Sequence, residues 1–307
     1  MIQFATISIQ NFLTTAMLNK IDSIGTSTGK IIYSSDDCQD ILSLPVTKII
    51  DVFKTSGVII FRGFGVTHEQ MKAFAALFSS KFVQDYKRPQ VDSDKFIHFV
   101  DAGMDNCVPH SEHAYSPFRP DAIWFCCAFP AAQGGETTFC DGIRVWEELS
   151  EETRQLFISK KLKFYYEDIP AVVLKRFTST DAASTDDVKR MLDGLEGVKY
   201  EIKEDESVSM EYVSSAVVKT KYGNQDAFAN SVLALHAIME KVAFEDGSIV
   251  PDEVIEEIEK TTDRLMEDIS WQAGDLTMID NSRFMHGRRE FNDRRRQIFS
   301  TLSNLKF

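Results

Sequence analysis

The 307-residue chain carries 34 Lys+Arg against 47 Asp+Glu, a formal charge of −13, with 43% hydrophobic residues and 23 Phe. That charge disfavours phosphate backbones and anionic membrane surfaces, so neither nucleic acid nor a membrane is an expected partner, and the apolar content excludes a disordered chain. Five cysteines without a CxxC spacing, no run of 18 apolar residues and no basic-then-apolar leader predict a reduced, cytoplasmic protein.

Residues 1–10 alternate apolar and polar and predict an edge strand, whereas 11–44 show no clear pattern. A helix is expected from Pro45, with Ile49, Ile50 and Phe53 on one face and Gly57 as its stop, followed by a short buried strand at 58–61. An amphipathic helix from Thr67 repeats Met71, Phe74, Leu77 and Phe78. Strands are expected at 96–100 and 121–129, the second apolar on both faces and therefore in the middle of a sheet. After the turn Gln133-Gly134-Gly135 come a short strand and helices at 145–149 and 151–158, the latter capped by Ser150. Residues 168–206 shift to Ser, Thr and Asp, with one helix near 186–195. They hold too few apolar residues for their own core and read as an insertion over a barrel mouth. A hairpin around Tyr222-Gly223-Asn224, a helix over 251–269, and strands at 276–280, near His286 and from Gln297 complete the chain. Many short strands with flanking helices suit one mostly β domain spanning 1–307, a double-stranded β-helix (jelly-roll) barrel.

The chemistry centres on His110-Ser111-Glu112. On an extended strand residues i and i+2 share a face, so His110 and Glu112 are expected to grip one metal from one side, with His286 supplied by another strand. Two histidines and a carboxylate leave the opposite face of the ion open, as in non-haem Fe(II) oxygenases. Zinc accepts the same ligands, so a zinc hydrolase stays open, as does a non-catalytic ligand-binding barrel. A His-x-Glu triplet alone is most often a surface pair; here it precedes a buried strand, and His286 follows Asp280-Asn281 late in the chain.

Four phrases carry a resemblance: His110-Ser111-Glu112-His113-Ala114-Tyr115, Gly134-Gly135-Glu136-Thr137, Gly274-Asp275, and Asp280-Asn281 ahead of His286-Gly287-Arg288. From about residue 58 onward, with 168–206 unmatched, the chain resembles the taurine/2,4-D dioxygenase family of Fe(II)- and 2-oxoglutarate-dependent oxygenases. The resemblance implies iron on His110, Glu112 and His286, with 2-oxoglutarate and O2 as co-substrates and succinate and CO2 released. It also implies that Thr137 and an arginine hold the far carboxylate of 2-oxoglutarate, for which a guanidinium offers two parallel hydrogen bonds. Arg296 is the expected arginine, given a loop one residue shorter than usual; Arg295, on the other face of the strand, is the alternative. Several members carry a second arginine for an anionic substrate where this chain has Ser300. Halogenating relatives lack the carboxylate that Glu112 supplies, so hydroxylation of a small molecule, an amino acid or specialised-metabolite intermediate, is the leading outcome, with desaturation kept open. Asn106, Tyr115, Asn230 and Ser300 are candidate substrate contacts. His113 is expected to face away from His110, His98 and His236 to be satisfied structural residues, and Arg119 and Arg283 to form supporting ion pairs. A homo-oligomer is left open.

Overall fold

Ala122–Phe129 is the strand on which the large sheet is built, and its sequence explains why. Ile123, Phe125 and Cys127 point into one apolar cluster while Ala122, Trp124 and Cys126 point into another, so both faces are covered. Residues 20–100, 103–178, 183–239 and 241–307 are described in a computed structural model; the strand expected at 1–10 lies outside them.

The large sheet runs in the order β1 (Ile21–Ser23), β2 (Lys30–Tyr33), β3 (Val58–Arg62), β16 (Leu276–Asp280), β8 (Ala122–Phe129), β18 (Gln297–Leu305), β6 (Asp94–Phe99) and β5 (Gln90–Val91), with β4 (Ser79–Val83) also on β18. The small sheet runs β15 (Glu267–Ile269), β9 (Thr137–Asp141), β17 (Phe284–Arg288), β7 (Cys107–His110). A three-stranded sheet, β10 (Leu162–Pro170), β12 (Ser207–Ser214) and β11 (Val198–Ile202), stands beside them, and β13 (Val218–Lys219) pairs with β14 (Asp226–Ala227) as the expected hairpin. The architecture is mostly β with several helices.

The two principal sheets pack face to face: Ile123, Phe125, Ile298 and Leu302 of the large one meet Phe139 and Phe284 of the small one. The outer face of the large sheet is sealed by helices Val46–Ser56 and His68–Ala76, which contribute Phe53, Met71 and Phe74 against Phe61 and Trp124. The first ends on Gly57 in the left-handed region, and the second begins in the capping box Thr67–Gln70.

Three expectations are corrected. The helix expected through 269 is Asp252–Leu265; the chain then extends into β15, because Glu267–Ile269 pairs with β9. Residues 21–33, unreadable in the sequence, supply β1 and β2. Residues 168–206 do build an apolar cluster, Leu174, Val188 and Leu192, by borrowing Val208 and Met210 from β12.

The Gly274-Asp275 phrase is a corner. Gly274 has φ +82° and donates its N–H to Cys127 O, while its carbonyl accepts from Val66. Asp275, fully buried, takes Arg62 at 2.7 Å and the Gln272 amide at 2.9 Å. A Cβ on Gly274 would stand 2.6 Å from the Gly65 Cα, backbone that has nowhere to go. Gly274→Ala is therefore expected to destabilise by at least about 1–3 kcal/mol, from positive φ alone, read as a lowered thermal midpoint by circular dichroism.

Candidate metal centre

The small sheet brings the two distant histidines together. His286 on β17 is the direct antiparallel partner of His110 on β7, and their rings lie 4.5 Å apart between centroids. The ladder carries a bulge between this pair and Arg288–Cys107, beside Pro109, which lacks an N–H to donate.

Glu112 reaches the site differently from the sequence expectation. β7 ends at His110, and Glu112 lies in a turn, so no strand alternation places it. The turn is pinned from three sides. Asn281 Oδ1 accepts the Glu112 N–H at 2.7 Å, and its Nδ2 donates to the Glu112 and Pro120 carbonyls, each at 2.9 Å. The Ser111 N–H donates to Asn230 O, its hydroxyl to Phe284 O, and Ser231 Oγ to Ser111 O. His113 follows with φ +54°, which turns its ring inward: Nε2 is 3.7 Å from Glu112 Oε1, not on the far side.

Ligand atoms of His110, Glu112 and His286 all lie within 4.8 Å of one another. His110 Nδ1 is 3.0 Å from Val108 O, which can only accept; Nδ1 therefore carries a proton, and Nε2 is the atom left for a cation once its own proton is displaced. His286 is buried with neither ring nitrogen hydrogen-bonded; its Nε2 is 3.6 Å from Glu112 Oε2, too long for a hydrogen bond. An orphaned imidazole beside a buried carboxylate is costly unless a metal joins them, and this donor set fits a divalent ion. Asp85, Glu112 and His113 form a second close group, but Asp85 is already engaged by the Lys87 N–H and Arg88.

Burial pushes His286 down to about 4, helped by His110, so it stands neutral and ready to ligate. Burial would lower His110 too, but the Cys107 sulfur and then the Glu112 charge outweigh it and raise it to about 9. Burial also opposes the Glu112 charge, yet Arg88, with His113 and His110 nearby, holds the carboxyl well below its ordinary range.

On the same face as His286, two residues along β17, stands Arg288, opposite Thr137. Thr137 is buried and its hydroxyl accepts from Trp271 Nε1 at 3.1 Å. Arg296 turns inward, donating from Nε to Gly135 O at 2.9 Å, and its guanidinium shares the Phe291 ring with Arg288. Burial, with Arg288 beside it, lowers Arg296 to about 10, still charged at neutral pH. Arg295 is exposed and paired with Asp293. Gly135 has φ +73°, and a Cβ there would strike Arg296 Cδ at 2.9 Å, so the double-glycine turn makes room for this arginine.

The other candidates separate. Tyr115 lies under Lys87 and accepts from the Tyr166 hydroxyl of β10, which ties the three-stranded sheet to the metal turn. Ser300 is buried on β18 and contacts Arg88 Nη1 at 3.3 Å. Asn230 is buried with its side chain spent on Ala216 O and the Val232 N–H, a bracing role in place of the expected substrate contact. Asn106 is exposed in the loop before β7. Arg283 pairs with Asp141 as expected, whereas Arg119 donates to the Asn281 backbone carbonyl in place of the expected ion pair. His98 is not satisfied: it is fully buried with both ring nitrogens unpartnered. The reading of the sequence missed Arg88, whose Nη2 is 2.9 Å from Glu112 Oε2; a loop arginine 24 residues from Glu112 offers no spacing signal. Arg288 had one, the i+2 relation to His286.

The model of the taurine catabolism dioxygenase TauD, TfdA family matches residues 22–302. The chain belongs to that family. Members of the TauD/TfdA family are Fe(II)- and 2-oxoglutarate-dependent dioxygenases, so this protein is an oxidoreductase using Fe(II), with 2-oxoglutarate and O2 as co-substrates. It is similar to the dapdiamide synthesis protein DdaC of Enterobacter agglomerans, 21% identical over 279 residues, covering 80% of this chain and 82% of that one. It is also similar to 3-((Z)-2-isocyanoethenyl)-1H-indole synthase of Fischerella ambigua, 20% identical over 274 residues, covering 87% and 88%. Among solved structures, AAD-2 in complex with Mn(II) and N-oxalylglycine superposes with a TM-score of 0.60 at 15% identity, covering 94% of this chain and 98% of that one.

A metal ion at the triad must displace the proton that His110 keeps up to about pH 9. Mn(II) affinity is therefore expected to climb from about pH 6 to about pH 8, roughly tenfold per unit for one proton released, as followed by electron paramagnetic resonance of free Mn(II). By the same readout Asn281→Ala, which frees the Glu112 turn, is expected to weaken binding about 10–100-fold.

Proposed function

We propose that this oxygenase hydroxylates an unactivated C–H bond of a small molecule, with His110, Glu112 and His286 holding Fe(II) and Thr137 and Arg296 holding 2-oxoglutarate. The observation that carries the reading is the cross-strand pairing of His110 with His286, beside a buried Glu112 whose neighbour imidazole has no other partner. Bound iron supplies oxidising power, drawn from O2 and the decarboxylation of 2-oxoglutarate, that amino-acid side chains lack.

The protein's own part is placement. Arg296 presents a fork that suits a carboxylate, Arg288 adds positive charge on the same side, and the Thr137 hydroxyl stands two positions from Phe139, the partner of His286. Phe125, edge-on to His286 at 5.4 Å, helps exclude water from the reacting side. The architecture is read as a double-stranded β-helix in a single domain, the insertion at 168–206 with its neighbouring strands lying over the mouth. Five free thiols, four of them buried, fit a reducing, cytoplasmic setting. A second outcome at the same centre, desaturation or another oxidation, is favoured by one observation: a relative is named an isocyanide-bearing indole synthase.

The reading is tested by anaerobic addition of Fe(II) and 2-oxoglutarate, watching for the visible charge-transfer band of the chelate. The band is expected in wild type, absent in His110→Ala, and shifted to about 10–100-fold higher 2-oxoglutarate in Arg296→Ala, the loss of a half-buried charged hydrogen-bonding partner. Iron binding without the band in wild type would return the zinc-hydrolase and binding-protein readings.

A further inference from the structure

We infer that the cleft between β4, residues 117–119 and the helix Ala171–Lys175 binds a small aromatic carboxylate, at a site separate from the metal centre. The cleft measures about 850 Å³, the size of a small-molecule site, and none of His110, Glu112, His286, Thr137 or Arg296 lines it. The inference therefore stands apart from the function proposed above.

Five cationic side chains stand in the wall, Lys81, Lys95, Arg119, Lys175 and Arg176, and no Asp or Glu. In a chain of net charge −13 such a cluster of one sign is a local exception that draws anions. Arg119 decides the kind of anion. Burial pushes it down to about 10, and Asp280, Tyr212 and Asp121 oppose that loss only in part. Its Nη2 donates to Asn281 O, while Nε and Nη1 have no partner, and the side chain no ion pair, among the described residues. A guanidinium so placed has donors ready for a carboxylate, whose planar geometry its fork matches. Two of the lysines are partly engaged: Lys81 Nζ donates to Phe177 O at 3.2 Å, and Lys175 stands 4.0 Å from Glu206, which lies outside the cleft lining.

Much of the remaining wall is aromatic. Phe118 stacks on Phe177 with centroids 4.0 Å apart, Tyr86 meets Phe177 edge-on at 5.5 Å, and Phe82 packs on Phe96 at 5.7 Å. Arg176 stands 4.8 Å over the Tyr86 ring, so charge and ring faces are interleaved. Such walls suit a planar apolar body carrying one negative group. A polyanion is disfavoured by the acidic chain around the cleft, and a bare inorganic ion would leave the rings without a partner.

The experiment is isothermal titration calorimetry of the full chain loaded with Mn(II) and N-oxalylglycine, with 2-naphthoate, 2-naphthamide and acetate as probes. 2-Naphthoate is expected to bind at least about tenfold more tightly than the amide, which lacks the charge, and than acetate, which lacks the ring. Its affinity is expected to be the same after Mn(II) and N-oxalylglycine are removed. Arg119→Gln is expected to abolish the preference for acid over amide. Because Arg119 also braces Asn281, a second variant avoids the metal turn altogether. Val172 is 57% exposed on the cleft wall, so Val172→Glu adds repulsion without entering the core. It is expected to weaken 2-naphthoate about tenfold and to leave 2-naphthamide unchanged. Equal affinity of wild type for 2-naphthoate and its amide overturns the inference, as does undiminished 2-naphthoate binding by folded Val172→Glu. Loss of the probe on loading with Mn(II) and N-oxalylglycine overturns it too, because the anion would then have occupied the metal centre. Failure of wild type to load Mn(II) counts against the proposed function alone, and the same titrations of the unloaded chain then decide this inference.

Discussion

Everything at the candidate centre hangs on Asn281. Its amide holds the backbone of Glu112 on both sides, accepting the N–H and donating to the carbonyl, while its own chain leads into β17 and His286. One side chain therefore sets the carboxylate relative to the second imidazole. Ladder geometry does the rest: His110 and His286 are cross-strand partners, and their spacing is fixed by the sheet to within the play of a side chain. The site is a piece of secondary structure plus one clamp, which is how a rigid scaffold keeps ligands in position before any ion arrives.

The electrostatics follow from the same compactness. Glu112 is buried, which alone would favour its neutral form, yet Arg88, with His113 and His110, keeps it charged. Burial, with Arg288 beside it, loosens the hold of Arg296 on its proton, and burial, with Arg88 nearby, loosens that of Arg288, an arrangement that a dianionic co-substrate would relieve. The interior is thus locally cationic inside an acidic protein, with repulsion stored among like charges where negatively charged ligands are expected.

How far the sequence could be read depended on whether a residue's role is local. Strand β8 was legible because burial on both faces over residues 122–127 demands apolar residues at each of those positions, and the helix caps at Thr67 and Ser150 because capping is a matter of three or four residues. The candidate metal cluster was legible only because His110, Glu112 and His286 are chemically distinctive and sit in recognisable phrases. The inference from strand alternation named two residues that the structure does bring together, but for a partly wrong reason, since Glu112 is in a turn; the same error sent His113 outward, whereas the turn's positive φ brings it in. Arg88 and His98 were invisible as a pair. Each is ordinary in its own neighbourhood, and they meet through β18, a strand some two hundred residues on. Residues 168–206 misled because their core is completed by Val208 and Met210, just outside the stretch whose composition was weighed.

The Asn281 clamp joins residues 169 positions apart. Closing a loop of that length has an entropic cost that grows only slowly with length, but it comes before the contact returns anything, so such pairings form late. A partly folded chain can present His110 early, yet the pocket for an ion exists only after β17 has docked. Metal is thus poorly suited to nucleate this fold and well suited to lock it. It binds the finished state alone, and by mass action its effect lies in holding the assembled chain shut against unfolding rather than in guiding the chain there.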